Sequence, residues 1–213
     1  QVNENDARDE RANIYKWQVA QLFHILPPTE ETARMVSVFW GLVSMLVVFW
    51  STLVFTRRKE IALLATLLFA VSVAGIIFDR RLRMYAMFAP VYLALATVIY
   101  QSLEEQARMR WCGWLQAKIG VHPRYAFLSA ILFIVGLLTH QLSAMIVFSA
   151  AAYLITMGIR EYRLTRAWKN RYIGLLALGA ALVAIVGIVA PSFLASFSSG
   201  LIWFDDHYSY IGY

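Results

Sequence analysis

The stretch MVSVFWGLVSMLVVFWSTLVFT, residues 35–56, decides the architecture. It carries no ionisable side chain from end to end, and valine, phenylalanine, tryptophan, leucine and methionine fill 16 of its 22 positions. A helix needs roughly 20 apolar residues to cross the hydrocarbon core of a bilayer. This segment is long enough to do so.

Working outward, the same test finds apolar runs at 61–78, 84–103, 125–139, 141–159 and 172–193. The run at 125–139 is short, which predicts a tilted, locally thinned or half re-entrant segment. Six spans would place both ends of the chain on one side of the membrane. A closed barrel would need strands of about ten residues that alternate polar and apolar, and no segment alternates in that way. Helices satisfy their own backbone hydrogen bonds inside lipid, so they are the expected spanning element. Composition agrees: 60% of the 213 residues are hydrophobic and 15% charged, against about 25% charged in a soluble domain. The expected fold is all-α, a polytopic transmembrane helix bundle with interfacial amphipathic helices.

The formal net charge of +6 raises the possibility of nucleic acid, but the placement of the cations argues against it. Twelve of the 19 lysines and arginines fall in three alternate gaps: Arg57, Arg58 and Lys59; Arg108, Arg110, Lys118 and Arg124; Arg160, Arg163, Arg166, Lys169 and Arg171. The positive-inside bias puts those gaps in the cytoplasm, with both termini, the 79–83 turn and the His140 turn facing outward. The single cysteine, Cys112, lies in a cytoplasmic gap and has no intrachain partner. The polar opening at Gln1 is placed outside, which predicts an upstream helix to deliver it. The stop at Tyr213 inside a polar aromatic loop also reads as part of a longer protein.

One domain is expected over residues 1–213: an outer loop with an interfacial helix at 1–33, the bundle at 34–193, and the start of an outer loop at 194–213. From Asp9 to Leu26, residues Tyr15, Val19, Leu22, Ile25 and Leu26 share one helical face. Asp9, Glu10, Asn13, Lys16 and His24 share the other, the pattern of a helix lying in the membrane interface. Pro27 and Pro28 end it, and Thr29-Glu30-Glu31-Thr32 supplies start signals for the next helix. Trp111, Trp114 and Leu115 among cations predict a second interfacial helix inside 104–124, punctuated by Gly120 and Pro123.

The four histidines, His24, His122, His140 and His207, lack partners at metal-ligand spacing. Glycine-rich phosphate loops and a nucleophile elbow are absent. The polar residues that stand out lie at the outer surface. Asp79, Arg80, Arg81, Arg83 and Tyr85 fill one short turn, where three arginines run against the charge bias. They read either as snorkelling interfacial cations or as a site for a lipid phosphate, whose oxygens match the guanidinium fork. Arg34 faces the same layer. His140-Gln141 reads as a polar cap between two apolar helices or as an outward donor near the same phosphate. Asp205, Asp206 and His207, with Tyr208, Tyr210 and Tyr213, form an outer loop in which solvated acids are the simpler reading.

Taken in order, Tyr15-Lys-Trp-Gln-Val-Ala-Gln-Leu-Phe, Pro28, Ala33-Arg34-Met-Val-Ser-Val-Phe-Trp-Gly41, Arg57-Arg58, Arg81-Leu-Arg83-Met-Tyr85-Ala and Gly136-Leu-Leu-Thr-His140 form a pattern. It resembles the GT-C membrane glycosyltransferases, in particular the protein-mannosyltransferase and aminoarabinose-transferase-like group, over about residues 14–193. The resemblance implies an enzyme of the plasma (inner) membrane and cell envelope with its active face outward. The implied donor is a sugar on a polyprenyl phosphate, and the acceptor a hydroxyl on lipid, glycan or protein. The family uses an outer-loop carboxylate, often an Asp-Glu pair, as base, so Asp9 and Glu10, with Asp6, are the implied catalytic candidates. Asp9-Glu10 stands closer to Tyr15 than the family's pair does, which leaves a carboxylate upstream of Gln1 as the alternative. Arg34, Arg81 and Arg83 are the implied phosphate ligands, with His140 behind them. Neither a nucleotide nor a redox cofactor is indicated. Two rival readings are an O-antigen ligase or polymerase-like enzyme, and a non-enzymatic assembly subunit or transporter part.

Overall fold

The computed structural model describes residues 13–72, 85–166 and 170–189, all in helices, turns and short connections. The chain forms two compact units, residues 1–146 and 147–213. The first unit holds helices α1 (Asn13–Phe23), α2 (Glu30–Thr56), α3 (Lys59–Ala70), α4 (Tyr85–Glu104), α5 (Arg110–Ile119) and α6 (Pro123–Thr139), then a 3-10 turn at Gln141–Met145. The second holds α7 (Ile146–Thr165) and α8 (Arg171–Val189).

Helix α2 shows why the chain folds as it does. Thr29 caps its start, its hydroxyl accepting from the Thr32 amide at 3.3 Å, while Glu30 and Glu31 face the positive helix end. Its C-cap is Arg57, in the left-handed region at φ 58°, with its amide bonded to the Leu53 carbonyl at 2.9 Å. At 27 residues it is about 40 Å long, enough to cross a bilayer core. The buried side is mostly small and hydroxyl residues, Thr32, Ala33, Ser37, Gly41, Ser44 and Ser51, with Val36 and Val54 among them. Ser51 is 2% exposed, whereas Leu46 is 70% exposed and Val38, Phe39 and Leu42 also point outward. A helix in water buries its large apolar residues. Here the order is reversed, as it is where lipid is the solvent and small residues let helices approach closely.

Helices α2 and α4 run parallel, since Ser51 meets Thr97 (hydroxyls 2.8 Å apart, both buried) and Phe55 meets Tyr100 further along. Helix α3 packs on α2 between them in sequence. Helix α4 is the most buried of the long helices, with Leu95, Val98 and Thr97 fully enclosed. Its most extensive partner is α6, which runs antiparallel: Met87 lies near Thr139, and the Ser102 carbonyl accepts from the His122 amide at 2.7 Å.

Among the described residues, three helical segments are long and apolar enough to cross a membrane: α2, α4, and the turn-plus-α7 segment Leu142–Thr165. A fourth span results if α5 and α6, bent by 70°, count as one. The expected span at 61–78 is a helix as far as Ala70, with 73–78 outside the described residues, and that at 172–193 is apolar and helical through Val189, with 190–193 outside the described residues. The expected interfacial helix at 9–26 begins no later than Asn13 and ends at Phe23. Its Tyr15 face is buried, but Ile25 is exposed, because the helical phase is lost before Pro27. The helix foreseen within 104–124 is α5, with Gly120 as its left-handed cap at φ 83° and Pro123 opening α6.

In the second unit, Asn170 joins the two helices. Its side-chain nitrogen donates to the Gly158 carbonyl at 3.2 Å, and its oxygen accepts from the Ile173 amide at 3.0 Å. A methyl at Gly158 would meet Ile173 Cγ1 at 3.3 Å, so the lack of a side chain there permits this approach.

Candidate functional site

Parallel α2 and α4 with antiparallel α6 bring three chain positions to one end of the first unit: the start of α2, the start of α4 and the end of α6. Helix α1 packs against α2 and α6 at this end. Its Tyr15 is buried beside Val36, Met87 and Val91, with Val19, Leu22, Trp40 and Val135 around them. The Tyr15 hydroxyl lies 2.8 Å from Ser37 Oγ. One turn on, Gln18 accepts from Trp40 Nε1 at 2.8 Å and directs its amide nitrogen at Met87 Sδ, 4.0 Å away. The Thr139 hydroxyl points at the same sulfur from α6, also at 4.0 Å. Polar contacts thus link α1, α2, α4 and α6 in a layer that an apolar cluster underlies.

His140 follows at the edge of this layer. Its backbone is extended (φ −158°, ψ 134°), and its amide bonds the Gly136 carbonyl at 2.8 Å, ending α6. Nδ1 accepts from the Leu142 amide at 3.0 Å, so in the neutral ring the proton sits on Nε2. The imidazole lies against Phe88 of α4, ring centroids 5.2 Å apart. Gly136 makes this turn possible: a Cβ built there would stand 2.8 Å from Ser143 Oγ.

Arg34 sits in the second turn of α2, exposed, with one guanidinium nitrogen 2.6 Å from Glu30 Oε1. That pair is an i,i+4 contact along one helix, and exposed pairs of this kind hold weakly. Arg34 and His140 therefore belong to the same end of the unit on different elements. Asp6, Asp9, Glu10, Arg81 and Arg83 lie outside the described residues, as do Asp79, Arg80, Asp205, Asp206 and His207.

Sequence reading missed Gln18, Trp40, Met87 and Thr139 as a connected set. Part of the signal was present: Ser37, Ser44 and Ser51 recur every seven residues on α2 and mark its packing seam. Which partners those serines meet depends on the helices opposite. A cavity of about 490 Å³ lies elsewhere, along the last turns of α7 beside Thr156, Ile159, Arg160, Arg163 and Leu164. A single helix supplies all of those residues, and the groove is open.

At the opposite end of the first unit, Arg57 lies 3.6 Å from Glu105, and the His122 amide reaches the Ser102 carbonyl. The first two basic gaps therefore share that end, away from His140. No protein-family model, curated protein or solved structure matches this chain.

Proposed function

We propose that the chain is the transmembrane part of a GT-C-type glycosyltransferase of the plasma (inner) membrane, transferring a sugar from a polyprenyl-phosphate donor to a hydroxyl acceptor at the outer surface. The observation that carries this reading is the meeting of α1, the start of α2 with Arg34, the start of α4, and His140 at one end of the first unit. The flanking chain supplies the remaining candidates: Asp6, Asp9 and Glu10 precede α1, and Arg81 and Arg83 precede α4. In the sequence, Arg80, Arg81 and Arg83 run against the charge bias of a membrane protein, whereas twelve of the 19 cations fall in the three basic gaps.

In the proposed reaction a carboxylate, Asp9 or Glu10 with Asp6 nearby, takes the proton of the acceptor hydroxyl. The acceptor oxygen bonds to the sugar carbon as that carbon's bond to the phosphate oxygen breaks. The electron pair leaves with the lipid phosphate, whose growing charge Arg34, Arg81 and Arg83 offset. His140, with its proton on Nε2, adds a neutral donor.

A photoreactive polyprenyl phosphate, crosslinked to the full-length protein in membranes, tests this. Adducts next to Arg34, Arg81, Arg83 or His140 support the outer donor site. Adducts confined to the basic gaps, or none, overturn it and favour a non-enzymatic membrane role. An O-antigen ligase-like enzyme would share the donor site yet need no carboxylate, so transfer that survives neutralising each outer acid selects that reading.

A further inference from the structure

We propose that α5 is a docking helix for anionic lipid headgroups, seated on the membrane leaflet at the basic end of the first unit. This goes beyond the glycosyltransferase reading and does not depend on it; it rests on the membrane-spanning character of the long helices.

Three observations converge. The first is direction: α5 meets α6 at 70° across the Gly120 cap. If the apolar α6 runs through the bilayer, its companion lies near the membrane plane at headgroup height.

The second is the exposed face. Arg110, Trp114 and Lys118 recur every four residues and so form one stripe, with Trp111 beside it. Trp111 is 63% and Trp114 65% exposed, and Lys118 Nζ stands 5.2 Å from the Trp114 ring centroid. Two bare indoles in water are unfavourable, whereas tryptophan favours the headgroup layer. The opposite face is committed to the protein. Cys112 is buried, and the Gln116 side chain donates to the Glu105 carbonyl at 2.7 Å and accepts from the Ala107 amide at 2.8 Å. Gln116 thus fixes which way the stripe points.

The third is charge. Arg108 and Arg124 are exposed alongside Arg110 and Lys118. The acids of the same gap are Glu104 and Glu105, and Glu105 is paired with Arg57 at 3.6 Å. Cations and indoles on one face complement a surface of phosphates over acyl chains, and the bilayer is the partner that α6 itself would hold against α5.

The test uses the whole chain with Cys112→Ser, which removes the single thiol, and a nitroxide on Ala117→Cys, an exposed position beside the stripe. The protein is reconstituted in vesicles of phosphatidylcholine alone and of phosphatidylcholine with phosphatidylglycerol. Collision rates with oxygen and with a water-soluble nickel chelate report depth. Docking predicts access to oxygen, shielding from nickel, and stronger shielding in the anionic vesicles. Arg110→Gln and Lys118→Gln should each lower that anionic preference about fivefold. A label equally open to nickel in both vesicles overturns the proposal. So does an immobilised label shielded from oxygen and nickel alike, which would mean that protein covers the face. A preference that survives both glutamine variants overturns it too. A second measurement keeps the native thiol: brominated phosphatidylglycerol should quench the parent's tryptophan fluorescence more than that of Trp111→Phe/Trp114→Phe. Equal fractional quenching in the two proteins counts against docking.

Discussion

Gly136 of α6 and Ser143 of the 3-10 turn approach so closely that a methyl on the glycine would stand 2.8 Å from the serine hydroxyl and 3.0 Å from its Cβ. The contact folds the turn back onto α6 and holds His140 between them, since the His140 amide bonds Gly136 and its carbonyl accepts from Ser143. Gly136→Ala should therefore cost about 1–3 kcal/mol, the usual range for an overfilled site. Thermal unfolding of the purified protein in detergent measures it. Adding Ser143→Gly should recover a coupling of about 0.5 kcal/mol or more; losses that merely add would show that the two residues do not collide. The buried Ser143 hydroxyl has no hydrogen-bond partner among the described residues, so Ser143→Ala alone should be neutral or slightly stabilising.

The contrast between the two sides of α2 makes a second prediction. Leu46 faces outward and Ser51 packs inward against Thr97. In a bilayer or detergent, Leu46→Ala should change stability by about 0.5 kcal/mol or less, as for an exposed position. Ser51→Leu should cost about 1–3 kcal/mol by overfilling the seam. Thr97→Val, which removes the interhelical hydroxyl bond, should cost about 0.6 kcal/mol. Denaturant titration of the three variants decides the matter, and a reversed order of the first two would refute the lipid-facing assignment.

Helix α1 is attached through few groups, so each should count. Tyr15→Phe removes the bond to Ser37 and should cost about 1 kcal/mol. Because residues 24–29 alone link α1 to α2 along the chain, a loosened α1 should also expose that connection to faster protease cleavage. Cleavage at the parental rate would show that α1 is held by other contacts.

At the proposed donor site, Arg34→Ala, Arg81→Ala and Arg83→Ala should each weaken polyprenyl-phosphate binding about tenfold, as expected for the loss of a charged hydrogen bond. The unfolding temperature of Arg34→Ala should stay close to the parent's, because its pair with Glu30 is exposed. Parental affinity in all three variants would eliminate the phosphate site.

His140 separates structure from chemistry. Asparagine can still accept from the Leu142 amide through Oδ1, as His140 Nδ1 does, but its own donor, Nδ2, then takes the place of Cδ2 and falls short of where Nε2–H reaches. His140→Asn should therefore retain stability and lose donor binding, while His140→Ala loses both. Equal donor affinity in the asparagine variant would confine His140 to capping the turn. Among the acids, Asp9→Asn or Glu10→Gln in the full-length protein should lower transfer about 10²–10⁴-fold with donor binding intact. Unchanged turnover in both, and in Asp6→Asn, would place the base elsewhere.

The sequence by itself determined the helical element type, the apolar runs that could cross a membrane and several helix ends. An uncharged run at 35–56 is long and apolar enough to cross a bilayer, and a helix is the element that satisfies its own backbone there. Thr29 with Glu30 and Glu31, Gly120, and Pro123 mark ends because cap hydroxyls, the left-handed region and a missing amide act within a few residues. The serines at 37, 44 and 51 even reveal the packing face of α2, since seven residues are nearly two helical turns. Only the tertiary structure decided what that face meets. Tyr15, Gln18, Trp40, Met87 and Thr139 are far apart in the chain, and their convergence follows from α2 and α4 running parallel with α6 reversed. A break between α5 and α6 was legible in Gly120 and Pro123, but its angle of 70° was not, because a glycine permits many directions and the packing of both neighbours selects one.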